Sequence, residues 1–122
     1  MPNLDPNPGG IALTEQPPLF TFVETKLFTR LVSQYLTDDE YRELQSALLE
    51  SPEIGNVIRN TGGVRKLRWR AQGRGKRGGY RIIYFLQPDR EVVWMLTMYP
   101  KNVADNIPAK VLRQIREEIE GV

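Results

Sequence analysis

The sequence contains neither cysteine nor histidine among its 122 residues. Without cysteine there is no disulfide and no thiol nucleophile, and the cytosol is the default compartment for such a chain. Without histidine, acid–base chemistry must use Lys, Tyr, Asp or Glu, and a zinc site with a histidine ligand is excluded. No apolar run approaches the ~20 residues that span a membrane, and the N-terminus lacks the layout of a secretion signal. We therefore expect a cytoplasmic protein with one domain of modest size.

Nucleotide-binding and metal-binding motifs are also missing. The glycines between Gly73 and Gly79 precede no helical pattern, so they are not a dinucleotide fingerprint, and no Walker-type lysine–serine pair is present. The carboxylates of Asp38–Glu40 stand at the start of a helical pattern, where capping explains them better than a metal site. The sequence predicts neither a cofactor nor a metal.

Positive charge is concentrated in the stretch 64–86. Eight of the 17 basic residues lie between Arg65 and Arg81, and no acidic residue interrupts them. The remainder of the chain holds nine basic and fifteen acidic residues, a net charge of −6. A solvated surface is the simplest explanation of a charge run, but no counter-charges are interspersed here and Arg81 sits inside an otherwise apolar strand pattern. Because phosphate contacts dominate the affinity of proteins for nucleic acid, the stretch indicates a nucleic-acid-binding surface.

The N-terminal half predicts a tail, a strand and two helices. Residues 1–18 contain five prolines, and we expect a flexible tail ahead of a single domain, 19–122. Leu19–Glu24 predicts a strand, and Thr25 is expected to cap the first helix. Thr37–Glu40 predicts a capping box for a second helix that ends before Pro52, and we expect the two helices to form an antiparallel hairpin. The predicted apolar positions are Leu27, Phe28, Leu31, Val32 and Tyr35 in the first helix, and Tyr41, Leu44, Leu48 and Leu49 in the second.

The C-terminal half predicts three strands and a helix. Val64–Arg70 and Tyr80–Leu86 are predicted strands on either side of a mobile loop, Gln72–Gly79. Glu91–Tyr99 is an apolar run typical of a central strand that is covered on both faces, and Pro108 is expected to open the last helix. The buried side of that helix is predicted to be Val111, Leu112, Ile115 and Ile119. The expected fold class is α+β, in which an N-terminal strand and a two-helix hairpin precede a mainly antiparallel sheet and a C-terminal helix.

Three blocks of this sequence form a specific combination: Thr61–Arg68, Gly73–Tyr84 and Leu96–Asn102. Together they resemble the HigB-type branch of the RelE/ParE toxin superfamily, and the likeness extends from Phe20 to Glu118. The resemblance implies a RelE-like fold and a toxin of a bacterial type II toxin–antitoxin module. Such toxins are cytosolic mRNA interferases that cut messages in the ribosomal A site and are silenced by a helix-turn-helix antitoxin.

The resemblance also implies site residues. Lys66 and Arg68 match the two basic positions of the RelE-type second strand, Arg81 matches the arginine of its Gly-Tyr-Arg strand, and Lys101 matches a basic residue after the last strand. RelE-type proteins place a catalytic tyrosine near the C-terminus, but this chain has no tyrosine after Tyr99. Tyr99 is therefore a substitute by position only, and the general base is unassigned.

The chemistry of metal-independent RNA cleavage agrees with these residue types. Arginines can fork onto phosphate oxygens, so Arg68 and Arg81 suit stabilisation of the developing charge. A lysine among like charges gives up its proton more readily, so Lys66 or Lys101 is a candidate for proton transfer. Further RNA contacts are predicted for the remaining basic residues of the stretch, which are Arg65, Arg70, Arg74, Lys76 and Arg77.

Two other functions stay open at this point. A ParE-like inhibitor of DNA gyrase would share the scaffold without nuclease activity, although the retained set of Lys66, Arg68 and Arg81 argues against it. A non-catalytic RNA-binding module would explain the basic stretch equally well. The expected partners of the favoured function are an antitoxin, the ribosome and mRNA, with no membrane. We expect the antitoxin to contact the basic sheet edge or the flanking helices and not residues 1–18.

Overall fold

The computed structural model describes residues 20–70, 79–102 and 107–120 of the chain. The predicted tail 1–18 lies outside the described residues, as does nearly all of the predicted loop Gln72–Gly79. The strands are β1 (Thr21–Glu24), β2 (Asn56–Val57), β3 (Val64–Trp69), β4 (Tyr80–Gln87) and β5 (Val92–Pro100), and the helices are α1 (Lys26–Tyr35), α2 (Asp38–Glu50) and α3 (Ala109–Ile119). This element order confirms the predicted α+β fold class.

The five strands form one mixed sheet in the order β1-β5-β4-β3-β2. β1 runs parallel to β5, while the other three pairings are antiparallel. The predicted, mainly antiparallel sheet is thus confirmed. The sequence does not predict β2, because a strand of two residues is too short to show an alternating pattern.

A hydrophobic core lies on each face of the sheet. On the face of α1 and α2, Phe28 and Leu44 are fully buried with Ile82 of β4. On the opposite face, Leu112 of α3 packs in a cluster with Ile83. β5 contributes to both clusters, since Met95 belongs to the first and Leu96 to the second. The prediction that this strand is covered on both faces is therefore confirmed.

The helix starts agree with the predicted caps. The Thr25 hydroxyl accepts from the Phe28 amide at 3.0 Å and donates to the Leu96 carbonyl at 2.8 Å, which ties the start of α1 to β5. The Thr37 hydroxyl accepts from the Glu40 amide, and the Glu40 carboxylate accepts from the Thr37 amide, as a capping box requires.

Three residues predicted on the buried sides of helices are exposed instead: Leu27, Leu49 and Val111 are 42%, 37% and 40% exposed. The helical spacing correctly identified the apolar side of each helix. These three residues lie at the margins of those sides, beyond the area that the sheet covers. Periodicity predicts the direction of a side chain but not the width of the surface opposite it.

Candidate nucleic-acid interface

Three of the predicted site residues form a row across the sheet. Arg68 of β3 pairs with Arg81 of β4, and Arg81 pairs with Tyr99 of β5. Directly opposed residues on neighbouring strands have Cβ atoms about 5 Å apart. The strand register therefore brings together residues that are 31 positions apart in the sequence, from 68 to 99.

Lys66 lies on the same face of the sheet, two positions before Arg68. It pairs with Ile83, which belongs to the core beneath α3. Lys66 and Arg81 are half-buried and Arg68 is exposed, whereas Tyr99 is only 8% exposed. Lys66 thus lies at the margin of the core beneath α3, and Arg68 is exposed to solvent toward the end of β3.

A cavity of about 220 Å³ lies at these strand ends. Four cations and one aromatic residue line it, namely Arg68, Trp69, Arg70, Arg81 and Lys101. The Lys101 amide donates to the Gly79 carbonyl at 3.1 Å, which holds Lys101 beside the start of β4. No acidic side chain among the described residues lines this cavity, so its chemistry suits an anion.

Gly79 sets the distance between the ends of β3 and β4. Its φ is +62°, in the left-handed region that favours glycine. A Cβ at this position would collide with the carbonyl oxygen of Trp69. Gly79 therefore allows the backbones to approach closely at the point where Arg70, Arg81 and Lys101 come together.

The cations at the strand ends have no anionic partner within the protein, as far as the described ranges extend. We call Lys66, Arg68, Arg70, Arg81 and Lys101 the strand-end cluster. None of its side chains forms an ion pair or a hydrogen bond with the described residues. Like charges at this proximity repel one another, so an anion that binds among them would be attracted by all of them.

Arg65, by contrast, is occupied by the fold. Its guanidinium donates to the carbonyl oxygens of Gly55 at 2.7 Å and Glu53 at 3.1 Å. Strand alternation directs it to the opposite face from Arg68. The structure therefore does not bring Arg65 into the strand-end cluster, and an RNA contact by this residue stays a prediction.

The strand-end cluster contains most of the predicted site. Lys66, Arg68, Arg81, Tyr99 and Lys101, the five predicted catalytic positions, all lie at or beside it, and Arg70 lines the same cavity. Three further predicted RNA-binding residues, Arg74, Lys76 and Arg77, lie outside the described residues.

Sequence reasoning missed Trp69 and Gly79 as parts of this site. Trp69 lines the cavity, and its indole Nε1 is buried without a hydrogen-bond partner among the described residues. An aromatic side chain between two arginines was a usable signal, because aromatic residues among cations are typical of single-strand binding. Nothing in the sequence distinguished Gly79 from the other glycines of the basic stretch.

The described ranges contain neither a metal site nor a membrane-spanning helix. No group of three or more acidic side chains there could hold a metal ion. Among the same residues, no helix has the length and apolarity needed to cross a bilayer.

Comparison with known proteins identifies the fold. The sequence matches no established family profile. The structure is similar to that of an arginine-to-alanine variant of the E. coli toxin RelE in the free state, with a TM-score of 0.55 and 18% identity over 80% of this chain and 97% of that chain. An archaeal RelE–RelB complex from Pyrococcus horikoshii OT3 also matches, with a TM-score of 0.45 and 22% identity over 70% of this chain and 98% of that chain. With its N-terminal strand, two helices, five-stranded sheet and C-terminal helix, the chain has a RelE-like fold.

Proposed function

We propose that this chain is the toxin of a type II toxin–antitoxin module and that it cleaves mRNA on the ribosome without a metal ion. One observation carries the proposal: on a RelE-like fold, the strand-end cluster assembles beside Tyr99 five cations that have no partner among the described residues. The three sequence blocks Thr61–Arg68, Gly73–Tyr84 and Leu96–Asn102 further favour the HigB-type branch. Cytoplasmic action follows from the same proposal.

The two paired arginines suit the phosphate at which the chain would be cut. In the reaction, the 2′-oxygen of a ribose attacks the adjacent phosphorus, and the bond from phosphorus to the 5′-oxygen breaks. Negative charge develops on the phosphate oxygens as five bonds form around phosphorus. Arg68 and Arg81, opposed across neighbouring strands, can donate to these oxygens from two directions.

Two protons must also move. One leaves the 2′-hydroxyl, and one reaches the departing 5′-oxygen, so the products are a cyclic phosphate and a free 5′-hydroxyl. The groups near the arginine pair that can exchange protons are the amines of Lys66 and Lys101 and the phenol of Tyr99. Tyr99 lies opposite Arg81 on the neighbouring strand, and its side chain is 8% exposed.

Cleavage at this site is expected to depend on the ribosome, because the strand-end cluster has no histidine and offers little surface to align RNA. The chain has no histidine, whose ordinary pKa suits proton transfer near neutral pH. The cavity of about 220 Å³ is also small and open at the strand ends, so it offers little to align a flexible RNA. Holding the message in place on the ribosome would supply that alignment and raise the rate.

A helix-turn-helix antitoxin is the partner that this function requires. A folded toxin exposes its strand-end cluster, and growth of the cell that makes it depends on silencing that surface. An antitoxin can do so by covering the cations or by preventing entry to the ribosome.

The test is to produce the chain alone in a bacterial host and to map the 5′ ends of cellular mRNA by primer extension. The proposal predicts growth arrest with new 5′-hydroxyl ends inside translated reading frames. Arrest with intact messages and inhibited DNA gyrase would instead identify a ParE-like inhibitor. RNA binding with neither arrest nor cleavage would identify a non-catalytic RNA-binding module.

A further inference from the structure

An apolar groove lies away from the strand-end cluster, at the end of α2. Its volume is about 620 Å³, and its lining is mostly apolar. The apolar part comprises Phe20, Leu49, Pro52, Ile54, Leu86 and Pro88. Ile54 is 47% exposed and Leu49 is 37% exposed, so the groove presents large side chains to solvent. Exposed apolar patches of this kind mark surfaces that contact other molecules.

The fold holds one wall of the groove in place. The buried Tyr84 hydroxyl donates to the Pro52 carbonyl at 2.7 Å and accepts from the Gly55 amide at 2.9 Å. The Arg65 guanidinium donates to the carbonyls of Glu53 and Gly55 on the same segment. Because the backbone on both sides of Ile54 is fixed, its outward position is a feature of the folded chain and needs no rearrangement to receive a ligand.

The polar rim of the groove is acidic. Glu50 and Glu53 line it, and none of the basic residues that the structure describes does. Neither carboxylate forms an ion pair or a hydrogen bond within residues 20–70, 79–102 and 107–120. A second cavity shares Glu50 and continues along α2 past Glu43 to the ion pair of Asp39 and Arg42. An occupant that complements this surface therefore carries both apolar and positively charged side chains.

We propose that this groove is the docking site for a partner protein, which inserts the apolar side of a helix between Phe20, Ile54 and Leu86 and directs lysine or arginine side chains at Glu50 and Glu53. Binding an amphipathic helix in an apolar groove is a recurrent mode of protein recognition. The acidic rim repels nucleic acid, so this surface is distinct from the strand-end cluster. The proposal does not depend on RNA cleavage by that cluster.

The first 19 residues of the chain are a poorer occupant, although they lead directly to Phe20. They contain two acidic residues, Asp5 and Glu15, and no lysine or arginine. Their carboxylates would face those of Glu50 and Glu53. The charge of the rim therefore favours a separate, cationic partner.

The probe is a labelled helical peptide with leucines along one side and lysines along the other, titrated with the full-length chain in a fluorescence anisotropy assay. A matched peptide with glutamate in place of every lysine is the control. The lysine peptide is expected to bind, and the glutamate peptide to bind at least tenfold more weakly. Ile54→Asp should weaken binding of the lysine peptide at least tenfold. Val111→Asp, at a residue of similar exposure on α3, should leave it unchanged.

Reversal of the rim charge gives a second, independent readout. The double variant Glu50→Lys with Glu53→Lys changes exposed side chains and should invert the preference toward the glutamate peptide. Neither this variant nor Ile54→Asp should alter the affinity for a single-stranded RNA probe.

Four results would overturn the proposal. The first is a lysine peptide that does not bind, and the second is one that binds Ile54→Asp as well as the parent. The third is binding that appears only after residues 1–18 are removed, which would make that segment the occupant. The fourth is a dimer of the chain alone that Ile54→Asp dissociates in sedimentation, which would make a second copy the occupant.

Discussion

Arginines serve opposite purposes at the two ends of this molecule. At α3, the Arg116 side chain is 18% exposed, donates to the Thr61 carbonyl at 3.1 Å and forms salt bridges with Glu117 and Glu120. In the strand-end cluster, Arg68 and Arg81 oppose each other and have no partner among the described residues. The difference shows that charge count alone does not locate a functional surface. A cation that the fold has satisfied holds structure, whereas one that the fold leaves unsatisfied is available to a ligand.

The largest expected effect is on the rate of mRNA cleavage, when an arginine of the strand-end cluster is removed. Arg81→Ala should lower the rate of mRNA cleavage by about 10²-fold or more, because it removes a charge that stabilises the transition state. Its thermal stability should equal or exceed that of the parent, since no hydrogen bond or ion pair with the described residues is lost and a repulsion is relieved. Primer extension and growth arrest report the loss of cleavage, and a melting curve measures the thermal stability.

The assignment of Arg81 would be wrong if the alanine variant arrested growth as strongly as the parent. A loss of activity with a matching loss of stability would also contradict it, because Arg81 would then belong with the structural arginines. Arg42→Ala is the matched control: this exposed arginine is paired with Asp39 and should keep full activity.

Gly79→Ala tests whether the close approach of the strands assembles the cluster. The left-handed backbone and the contact with the Trp69 carbonyl should together cost about 1–3 kcal/mol of unfolding free energy. Activity should fall as well, because Lys101 is held by the Gly79 carbonyl. Chemical denaturation and growth arrest are measured on the same variant. An unfolding free energy and an activity that both equal those of the parent would contradict this role of Gly79.

Arg116→Ala should show the reverse of the Arg81 result. It leaves the carbonyl of the fully buried Thr61 without its donor and should lower the unfolding free energy by about 1–2 kcal/mol. At a temperature where the variant is folded, growth arrest should stay within a few-fold of the parent. Arrest lost at that temperature would show that the partnered arginines are functional too.

The smallest expected effect is the pH dependence of stability that two hydrogen-bonded tyrosines produce. Burial raises the pKa of Tyr84, and burial together with the hydrogen bond to Glu24 raises the pKa of Tyr41. Both groups hold their protons more tightly when folded, so their contribution is complete below the ordinary tyrosine pKa of about 10 and is lost as pH rises above it. The denaturation midpoint should therefore decrease as the pH is raised above ~10. The decrease should be less steep in Tyr84→Phe. A decrease of the same steepness in Tyr84→Phe would contradict the role of Tyr84.

Local patterns were sufficient to predict most of the fold. The capping box at Thr37 and the apolar run of β5 both depend on neighbours in sequence, and both are present as predicted. β2 was missed because its two residues are defined only by pairing with Lys66 and Arg65. The exposure of Leu49 and Val111 likewise depends on how far the sheet extends beneath each helix, and a local sequence pattern does not predict that distance.

The candidate site was predictable only in its composition. The concentration of basic residues between Arg65 and Arg81 was visible in the sequence. The opposition of Arg68 and Arg81 across β3 and β4 depends on register, and so does the structural use of Arg65. The close approach of the backbone at Gly79 to Trp69 is likewise visible only in the folded structure.

Salt dependence of RNA binding tests the central claim most directly. The affinity for a single-stranded RNA oligomer should be measured over a range of salt concentrations for the parent and two double variants. Arg68→Ala with Arg81→Ala removes two unpartnered cations, whereas Arg42→Ala with Arg113→Ala removes two exposed arginines that contact Asp39 and the Asn60 carbonyl. Each lost phosphate contact lowers the slope of log affinity against log salt by about 0.7. We expect the slope to fall by about 1.4 for the first double variant and to stay unchanged for the second. An equal fall for both double variants would contradict the distinction between partnered and unpartnered cations.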